Sequence, residues 1–246
     1  MNPEPWTEEF GIDYLARELA FFDLLKAAQY TLLLTAISMP LSILLGLVLA
    51  LMRRARLRIL SWPAAFYIEV IRGTPLLVQM FLVYFTLPQL GQWLNTDMLT
   101  LNSFVVGILC LAGNYAAYEA EILRAGLEAI DAGQREAALS IGMSEWQAFR
   151  TVVLPQAFRI VVPPIINDLI AMLKDSSLVS VLGVQELLNK ALTIGRSNFT
   201  VPKMLVVAAA IYLVMSLVCY MLGKYAERKL HVQGAPELHL DQVHGH

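Results

Sequence analysis

Four long stretches of the chain contain no charged residue, and their lengths give the first prediction of the fold. They are 27–52, 73–96, 98–118 and 204–223, which hold 26, 24, 21 and 20 residues. A helix that crosses the hydrocarbon core of a bilayer needs about 20 predominantly apolar residues. The pattern therefore predicts four transmembrane helices.

A fifth candidate span covers residues 154–174. It contains three prolines, is interrupted by Arg159 and Asp168, and ends at Lys174. Ionisable side chains are costly in lipid, so we expect these charges to face protein or water. Together the five stretches predict an all-α integral membrane protein with about five transmembrane helices.

The distribution of arginine and lysine predicts the orientation of these spans. In a five-span model, eleven basic residues of the loops and span ends lie on one side of the membrane and five on the other. Basic loops stay in the cytoplasm, so we expect the N-terminus outside and the C-terminus in the cytoplasm. A four-span model would put large basic clusters on opposite faces.

The same pattern divides the chain into three segments. Residues 1–25 form an acidic N-terminal arm with apolar residues at helical spacing, which we expect to lie at the outer membrane interface. Residues 26–230 form the transmembrane domain. Residues 231–246 are predicted to be a loose cytoplasmic tail.

The sequence just before the second span is ambiguous. Glu69 and Arg72 stand three residues apart and are predicted to pair on a helix. Gly73, Thr74 and Pro75 then interrupt that helix and restart it. We interpret residues 59–72 as an interfacial or kinked lead-in to the second span.

Composition and charge narrow the classes of function. Charged residues make up 15% of the chain and hydrophobic residues 57%, which excludes disorder and a coiled coil. The net charge of −2 gives no basic field that would recruit nucleic acid. Cys110 and Cys219 lie in apolar stretches, which indicates packing rather than a disulfide. No nucleophile–base pair or metal-ligand cluster is apparent in the sequence, so we predict neither a catalytic nor a metal site.

The segment 124–155 is much more polar than the spans on either side of it. Residues 134–141 have a helical pattern, and Gly142 stands where a left-handed residue would end that helix. Ser144 and Gln147 have the form of a capping box. A helix-turn-helix is therefore predicted, with its second helix ending near Pro155.

An apolar stripe runs through this helix-turn-helix. Leu139, Met143, Trp146 and Phe149 recur at three- and four-residue spacing. Either the stripe packs against the protein's own spans, or it inserts into a groove of a soluble partner. Both interpretations remain open at this point.

Several motifs resemble one family of transport proteins. Glu136-Ala137-Ala138, then Gly142, then Val152-Val153-Leu154-Pro155 resemble the EAA loop of the membrane subunits of binding-protein-dependent ABC importers. Residues 69–79, 117–122 and 174–181 resemble the polar amino acid permease branch of that family, the histidine, glutamine and glutamate importers. The resemblance extends from about residue 25 to about residue 230, and it implies the type I ABC importer fold.

The resemblance also implies a function and a set of partners. The chain would be the permease subunit of a polar amino acid importer in the bacterial cytoplasmic (inner) membrane, paired with a copy of itself or a related chain. Two cytoplasmic ATPases would bind ATP and magnesium, for which this chain has no phosphate loop. An extracytoplasmic binding protein would deliver the amino acid. The coupling element would comprise Glu136, Ala137, Ala138, Gly142, Met143, Ser144, Trp146 and Phe149.

Polar side chains at membrane depth are candidates for the translocation pathway. They are Asn114, Glu119, Glu121, Asp168, Lys174 and Ser176, with Arg72, Gly73, Thr74 and Pro75 at the helix restart in the second span. Glu119 stands at a position that the family pattern leaves open, so we expect it to influence selectivity. The alternative for Glu121 and Asp168 is structural, in ion pairs with Arg72, Arg124 or Arg159.

Other functions fit the sequence less well. The same architecture could carry an opine or a compatible solute. A secondary transporter typically has inverted repeats, and no repeat is visible in the sequence. A membrane interaction protein would not need so many ionisable groups in its spans.

Overall fold

The computed structural model describes residues 18–96, 99–197 and 199–229, and within these ranges the chain is helical without any strand. The helices are α1 (Glu18–Arg54), α2 (Arg58–Arg72), α3 (Leu76–Trp93), α4 (Ser103–Glu128), α5 (Ala132–Ser140), α6 (Glu145–Ala148), α7 (Leu154–Asp175), α8 (Leu187–Ser197) and α9 (Val201–Lys229). Residues 1–17 of the predicted arm and the predicted tail 231–246 lie outside the described residues.

The membrane-crossing helices agree with the predicted spans. Four helical segments are long and apolar enough to cross a bilayer: Phe21–Arg54, Ser103–Glu128, Glu145–Leu182 and Val201–Lys229. The bent pair of α2 and α3, whose axes meet at 111°, brings the number to five if it forms one span. The prediction of an all-α protein with about five transmembrane helices is confirmed, whereas the orientation of the termini stays a prediction.

The first helix begins within the segment predicted as the N-terminal arm. Helix α1 runs without a break from Glu18 to Arg54, so residues 18–25 continue the first span. A β-carbon built on Gly46 would lie 2.6 Å from Cβ of Glu119 and 3.1 Å from the carbonyl oxygen of Ala116. Glycine is therefore required at position 46 because α1 and α4 approach each other to backbone contact there.

Helix α4 lies at the centre of the bundle. In its most apolar window 61% of the residues are buried, compared with 6% for α9. The main core joins α4 to α1, α3, α7 and the 3₁₀ helix that follows α7 through residues such as Leu34, Met80, Leu111, Met172 and Val179. The outer faces of α1 and α9 are left apolar and exposed, as lipid or a membrane partner requires.

A buried carboxylate fixes the end of the bundle where α8 begins. Glu186 accepts hydrogen bonds from the backbone N–H groups of Leu188 (2.9 Å) and Asn189 (2.7 Å) and from the hydroxyl of Tyr212 (2.7 Å). Burial raises the pKa of Glu186. These bonds cap α8 and hold it against α9.

The predicted break before the second span is present. Helix α2 ends at Arg72, Pro75 is extended, and α3 begins at Leu76. The predicted pairing of Glu69 with Arg72 is not the contact observed. Glu69 instead approaches Arg53 at 4.0 Å, and the guanidinium of Arg72 lies 5.5 Å from the ring centre of Tyr118.

Candidate coupling loop and translocation pocket

The polar segment between α4 and α7 forms the predicted helix-turn-helix. Helix α5 starts after Asp131, whose side chain accepts a bond from the N–H of Gly133 at 2.6 Å. Gly142 follows it with φ of +89°, and a β-carbon built there would meet no atom within 4 Å. The turn therefore needs glycine for its left-handed backbone and not for space.

The predicted capping box is also present at the start of α6. The N–H of Gln147 donates to Oγ of Ser144 at 3.3 Å, and the N–H of Ser144 donates to Oε1 of Gln147 at 2.8 Å. Arg135 on α5 donates from Nε to Glu145 on α6 at 3.0 Å. The two helices are thus tied to each other beside the turn.

The prediction that the second helix ends near Pro155 is wrong. Helix α6 continues through a π-helical turn, Phe149–Val153, directly into α7. Within that turn the N–H of Leu154 bonds to the carbonyl of Phe149, five residues earlier. A wider turn relieves the clash that a proline ring makes with the preceding turn, so Pro155 is accommodated without a break.

One part of the apolar stripe packs against the protein itself, and another part is exposed where a partner could bind it. Leu139, Met143 and Phe149 are half-buried, whereas Trp146 is 65% exposed. The Trp146 ring stacks on Phe149 with centroids 5.8 Å apart. Ile141, at the tip of the turn, is 75% exposed. The root of the stripe is therefore internal, and its tip projects from the bundle.

The tripeptide that resembles the EAA motif lies on α5. Glu136 and Ala137 are exposed, and Ala138 is buried. Glu136 and Ala137, like Ile141 and Trp146, are therefore exposed on the surface of the hairpin. We call residues 132–153 the coupling hairpin.

A pocket of about 320 Å³ lies where α3, α4 and α7 meet at the break between α2 and α3. It is lined by Thr74, Pro75, Leu76, Asn114, Tyr115, Tyr118, Asp168, Ala171 and Asp175. Two carboxylates line it, and no lysine or arginine is among its lining residues in the described part of the chain. Apart from two tyrosines, the ionisable groups of this lining are therefore carboxyl groups.

Hydrogen bonds brace the helix break beside this pocket. The side-chain amide of Asn114 donates to Oε1 of Gln79 at 2.9 Å. Gln79 in turn donates to the carbonyl of Ile71 and to Oγ1 of Thr74, both at 2.8 Å. One glutamine thus connects α3 to the end of α2 and to α4.

The two carboxylates of the pocket differ in their partners. Asp175 accepts a bond from the hydroxyl of Tyr115 at 2.8 Å. Oδ2 of Asp168 is buried and has no hydrogen-bond partner among the described residues. A buried polar atom without a partner costs free energy, so Asp168 is the group most ready to accept a donor from a ligand.

Of the six predicted pathway residues, two line the pocket. Asn114 and Asp168 meet there, and Thr74 and Pro75 from the helix restart join them. Glu119 does not line this pocket. Its side chain is fully buried against α1, and neither carboxylate oxygen has a hydrogen-bond partner among the described residues.

The remaining three pathway candidates lie elsewhere. Lys174 is exposed and lines a separate groove between α7 and α9. Ser176 is buried and donates to the carbonyl of Leu173 at 2.7 Å. Glu121 lies near the end of the bundle that carries the coupling hairpin, where it joins ion pairs.

These ion pairs link α1 to α4. Glu121 accepts bonds from Arg53 on α1 and from Arg124 on α4, both at 2.8 Å, and Arg124 also binds Glu128 at 2.6 Å. Glu121 therefore forms a structural ion pair, which was the alternative to a role in the pathway. Arg124 was among the predicted partners, and Arg53 was not. No ion pair of Asp168 is found in the described ranges.

Sequence reasoning did not single out Gln79, Tyr115 or Tyr118. A signal was available, because Tyr118 stands four residues after Asn114 and so shares its face of α4. An aromatic ring with a polar tip on the same helix face as an intramembrane asparagine marks a polar cavity.

Among the described residues no group of three or more histidine, cysteine, aspartate or glutamate side chains could hold a metal ion.

The family model described as "Binding-protein-dependent transport system inner membrane component" matches residues 42–232. The chain belongs to this family. It is an inner-membrane permease subunit of an ABC importer, which contributes the transmembrane pathway, and ATP hydrolysis belongs to a separate ATPase subunit. The family's assemblies include that ATPase and a second permease subunit.

Individual relatives support this assignment. The arginine transport system permease protein ArtQ of Bacillus subtilis (strain 168) is 37% identical over 207 residues, which cover 84% of this chain and 92% of ArtQ. The L-cystine transport system permease protein TcyB of the same organism is 36% identical over 82% of this chain and 83% of its own length.

Solved structures share the fold of this permease. A crystal structure of an amino acid ABC transporter with histidines matches 93% of this chain and 100% of its own, at 37% identity and a TM-score of 0.78. An inward-facing structure of the MetNI methionine ABC transporter matches at 18% identity and a TM-score of 0.66, covering 85% of this chain and 97% of its own, which shows the fold alone.

Proposed function

We propose that this permease imports a cationic amino acid such as arginine or lysine, and that the pocket at the α2–α3 break is its site in the membrane. The single observation that carries the proposal is the unpartnered Oδ2 of Asp168 in the wall of that pocket. A guanidinium or ammonium group would supply the missing donor. Two permeases named for arginine, ArtQ of Bacillus subtilis and ArgU of Corynebacterium glutamicum, are each 37% identical to this chain.

The other end of an amino acid has a complementary feature in the same pocket. Its α-carboxylate would lie near Leu76, the first residue of α3, where backbone N–H groups of the first turn have no partner within the helix. The positive end of the helix dipole favours an anion there. A cationic amino acid would thus place its side-chain cation at Asp168 and its α-carboxylate at the start of α3.

The proposed assembly follows the family. Two copies of this permease, or one copy and a related chain, would form the membrane dimer. Two cytoplasmic ATPases would bind ATP and magnesium and receive the exposed tips of the coupling hairpins, and an extracytoplasmic protein would deliver the amino acid. Closure of the ATPases would move the hairpin, and with it α7, between two arrangements of the pocket.

A neutral polar amino acid is the second candidate. The Gln79–Asn114 amide pair beside the pocket could recognise an amide side chain, and a putative glutamine permease GlnP of Rickettsia prowazekii is 30% identical to this chain. An opine or a compatible solute would be indicated if no amino acid stimulated the intact complex.

The test is substrate-stimulated ATPase activity of the reconstituted importer, screened with arginine, lysine, glutamine and glutamate. We expect stimulation by arginine or lysine. Asp168→Asn should weaken that stimulation by at least tenfold, because a charge-assisted hydrogen bond is worth about 1.5–3 kcal/mol. The matched control is Asp23→Asn, which changes a half-exposed carboxylate on α1 outside both the pocket and the coupling hairpin. Stimulation by glutamine alone, or an unchanged response of Asp168→Asn, would contradict the proposal.

A further inference from the structure

The turn between α1 and α2 carries a group of charges that transport does not explain. Arg54, Arg56 and Arg58 are all exposed. None of the ion pairs found among the described residues includes any of the three. Their neighbour Arg53, by contrast, is bound to Glu121. We call Arg54, Arg56 and Arg58 the arginine patch.

The outer face of α2 continues from this patch as an aromatic strip. Arg58, Trp62 and Phe66 stand four residues apart and so share one helix face. Trp62 is 73% exposed and Phe66 61% exposed, and their rings stack with centroids 6.0 Å apart. At a rise of about 1.5 Å per residue, Trp62 lies roughly 6 Å and Phe66 roughly 12 Å along the axis from Arg58.

The opposite face of α2 is internal. Ala64 and Ile68 are 1% and 0% exposed. The hydroxyl of Tyr67 donates to the carbonyl of Gly113 on α4 at 2.9 Å. The arginine patch and the aromatic strip therefore belong to the side of α2 that the protein itself does not cover.

The order of these groups along α2 matches the parts of a phospholipid molecule. Arginine attracts the phosphate of an anionic lipid, and aromatic rings lie at the headgroup level beside the acyl chains. We propose that the arginine patch and the Trp62–Phe66 strip bind an anionic phospholipid. Its phosphate would contact the arginines, and the first part of an acyl chain would lie along the two rings.

The bound lipid would act on the part of the chain that leads to the pocket. Helix α2 runs directly into the break at Gly73–Pro75. Its inner face packs against α1 and α4 through a cluster around Ile68 and through the hydrogen bond of Tyr67. A lipid on the outer face would hold α2 from the other side. The position of Thr74 and Pro75 in the pocket wall then depends on lipid as well as on protein.

A cytoplasmic protein is the rival occupant, because Arg54 also lines a cavity with Arg135 and Glu145 of the coupling hairpin. The aromatic strip argues against it. An ATPase bound at the hairpin would have to reach roughly 12 Å further along α2 to cover Phe66. A lipid covers that distance without any additional surface.

The test uses the complex of this permease with its ATPase, purified in detergent with equal amounts of phosphatidylglycerol and phosphatidylcholine. Native mass spectrometry then measures how much of each lipid the complex retains. We expect preferential retention of phosphatidylglycerol, and Arg56→Gln/Arg58→Gln should lower its affinity roughly tenfold or more. The matched control, Arg228→Gln/Lys229→Gln, removes two exposed charges from the end of α9 and should change retention less than twofold.

A second measurement works on the unaltered arginine patch. Phosphatidylglycerol with brominated acyl chains should quench tryptophan fluorescence more strongly than brominated phosphatidylcholine, and Trp62→Phe should remove the difference. Equal quenching by the two lipids would overturn the proposal even if the arginine variant failed to fold. Equal loss of lipid in both double variants would overturn it in favour of general surface charge. Loss of the ATPase with unchanged lipid retention would overturn it in favour of a protein contact.

Discussion

Gly142 offers the sharpest test of the coupling hairpin, because its requirement is purely conformational. Its φ is +89°, and a β-carbon there would meet nothing within 4 Å. The β-carbon of a Gly142→Val variant therefore meets no other residue. The substitution adds the strain of a side chain in the left-handed region, which is greatest for β-branched residues.

The magnitude of that strain follows from backbone energetics. A left-handed conformation costs an ordinary residue roughly 1–2 kcal/mol, which corresponds to a factor of about 5–30 in the population of the native turn. Asparagine tolerates the conformation better. We expect Gly142→Val to lower substrate-stimulated ATPase activity and uptake several-fold while the protein still inserts, and Gly142→Asn to retain most of both.

Gly183 provides a matched control for strain. It has φ of +81°, and a β-carbon there would also meet nothing within 4 Å. It ends the 3₁₀ helix on the side of the bundle away from the hairpin. The assay is uptake per ATP hydrolysed in proteoliposomes that contain the complete importer. Gly183→Val should lower the thermal stability about as much as Gly142→Val does, but the uptake per ATP hydrolysed should stay unchanged.

Three outcomes would refute the reasoning about Gly142. Normal uptake by Gly142→Val would show that the turn does not transmit movement. Equal impairment of Gly142→Asn would show that backbone strain is not the cause. The same loss of coupling in Gly183→Val would show that general destabilisation explains the effect.

Two further predictions concern the contact between α1 and α4. Glu121→Gln should lower the free energy of unfolding by about 2 kcal/mol, because it weakens charge-assisted bonds in a half-buried cluster; Glu128→Gln, at a carboxylate whose side chain is 56% exposed, should cost under about 1 kcal/mol. Gly46→Ala should cost about 1–3 kcal/mol, because its β-carbon would lie 2.6 Å from Cβ of Glu119. Gly113→Ala, whose β-carbon would meet only the hydroxyl of Tyr67 at 3.2 Å, should cost less.

Thermal unfolding in detergent checks both pairs of variants. Equal losses in Glu121→Gln and Glu128→Gln would mean that the cluster contributes no more than a surface ion pair. A stable Gly46→Ala variant would mean that α1 can move away from α4 without cost.

Much of the fold was predictable because the membrane forces simple rules on a sequence. The absence of charge over 20 or more residues leaves a spanning helix as the simplest way to satisfy the backbone. The turn at Gly142 and the cap at Ser144 were predictable because both depend on local chemistry. The predicted helix end near Pro155 was wrong because a π-helical turn, which has no clear sequence signal, accommodates the proline.

The pocket was only partly predictable, because depth in the membrane does not determine direction. Asn114 and Glu119 both lie on α4, yet five residues of helix turn the first towards the pocket and the second towards α1. The small size of Gly46 is what lets Glu119 lie against α1, and that contact joins residues far apart in sequence. The role of Gln79 likewise depends on a break whose angle no local pattern gives.

The continuous helical segment from Glu145 to Leu182 includes both the second helix of the coupling hairpin and a wall of the pocket, so a movement of one would be carried to the other. Trp146 and Asp168 lie on this one rod, roughly 33 Å apart at the usual helical rise. No loop separates them to absorb a displacement. A tilt of roughly 10° about the midpoint would move the two ends by about 3 Å in opposite directions. An inward displacement of the hairpin would then move the pocket wall outward. The direction of that movement depends on the point about which the helix tilts.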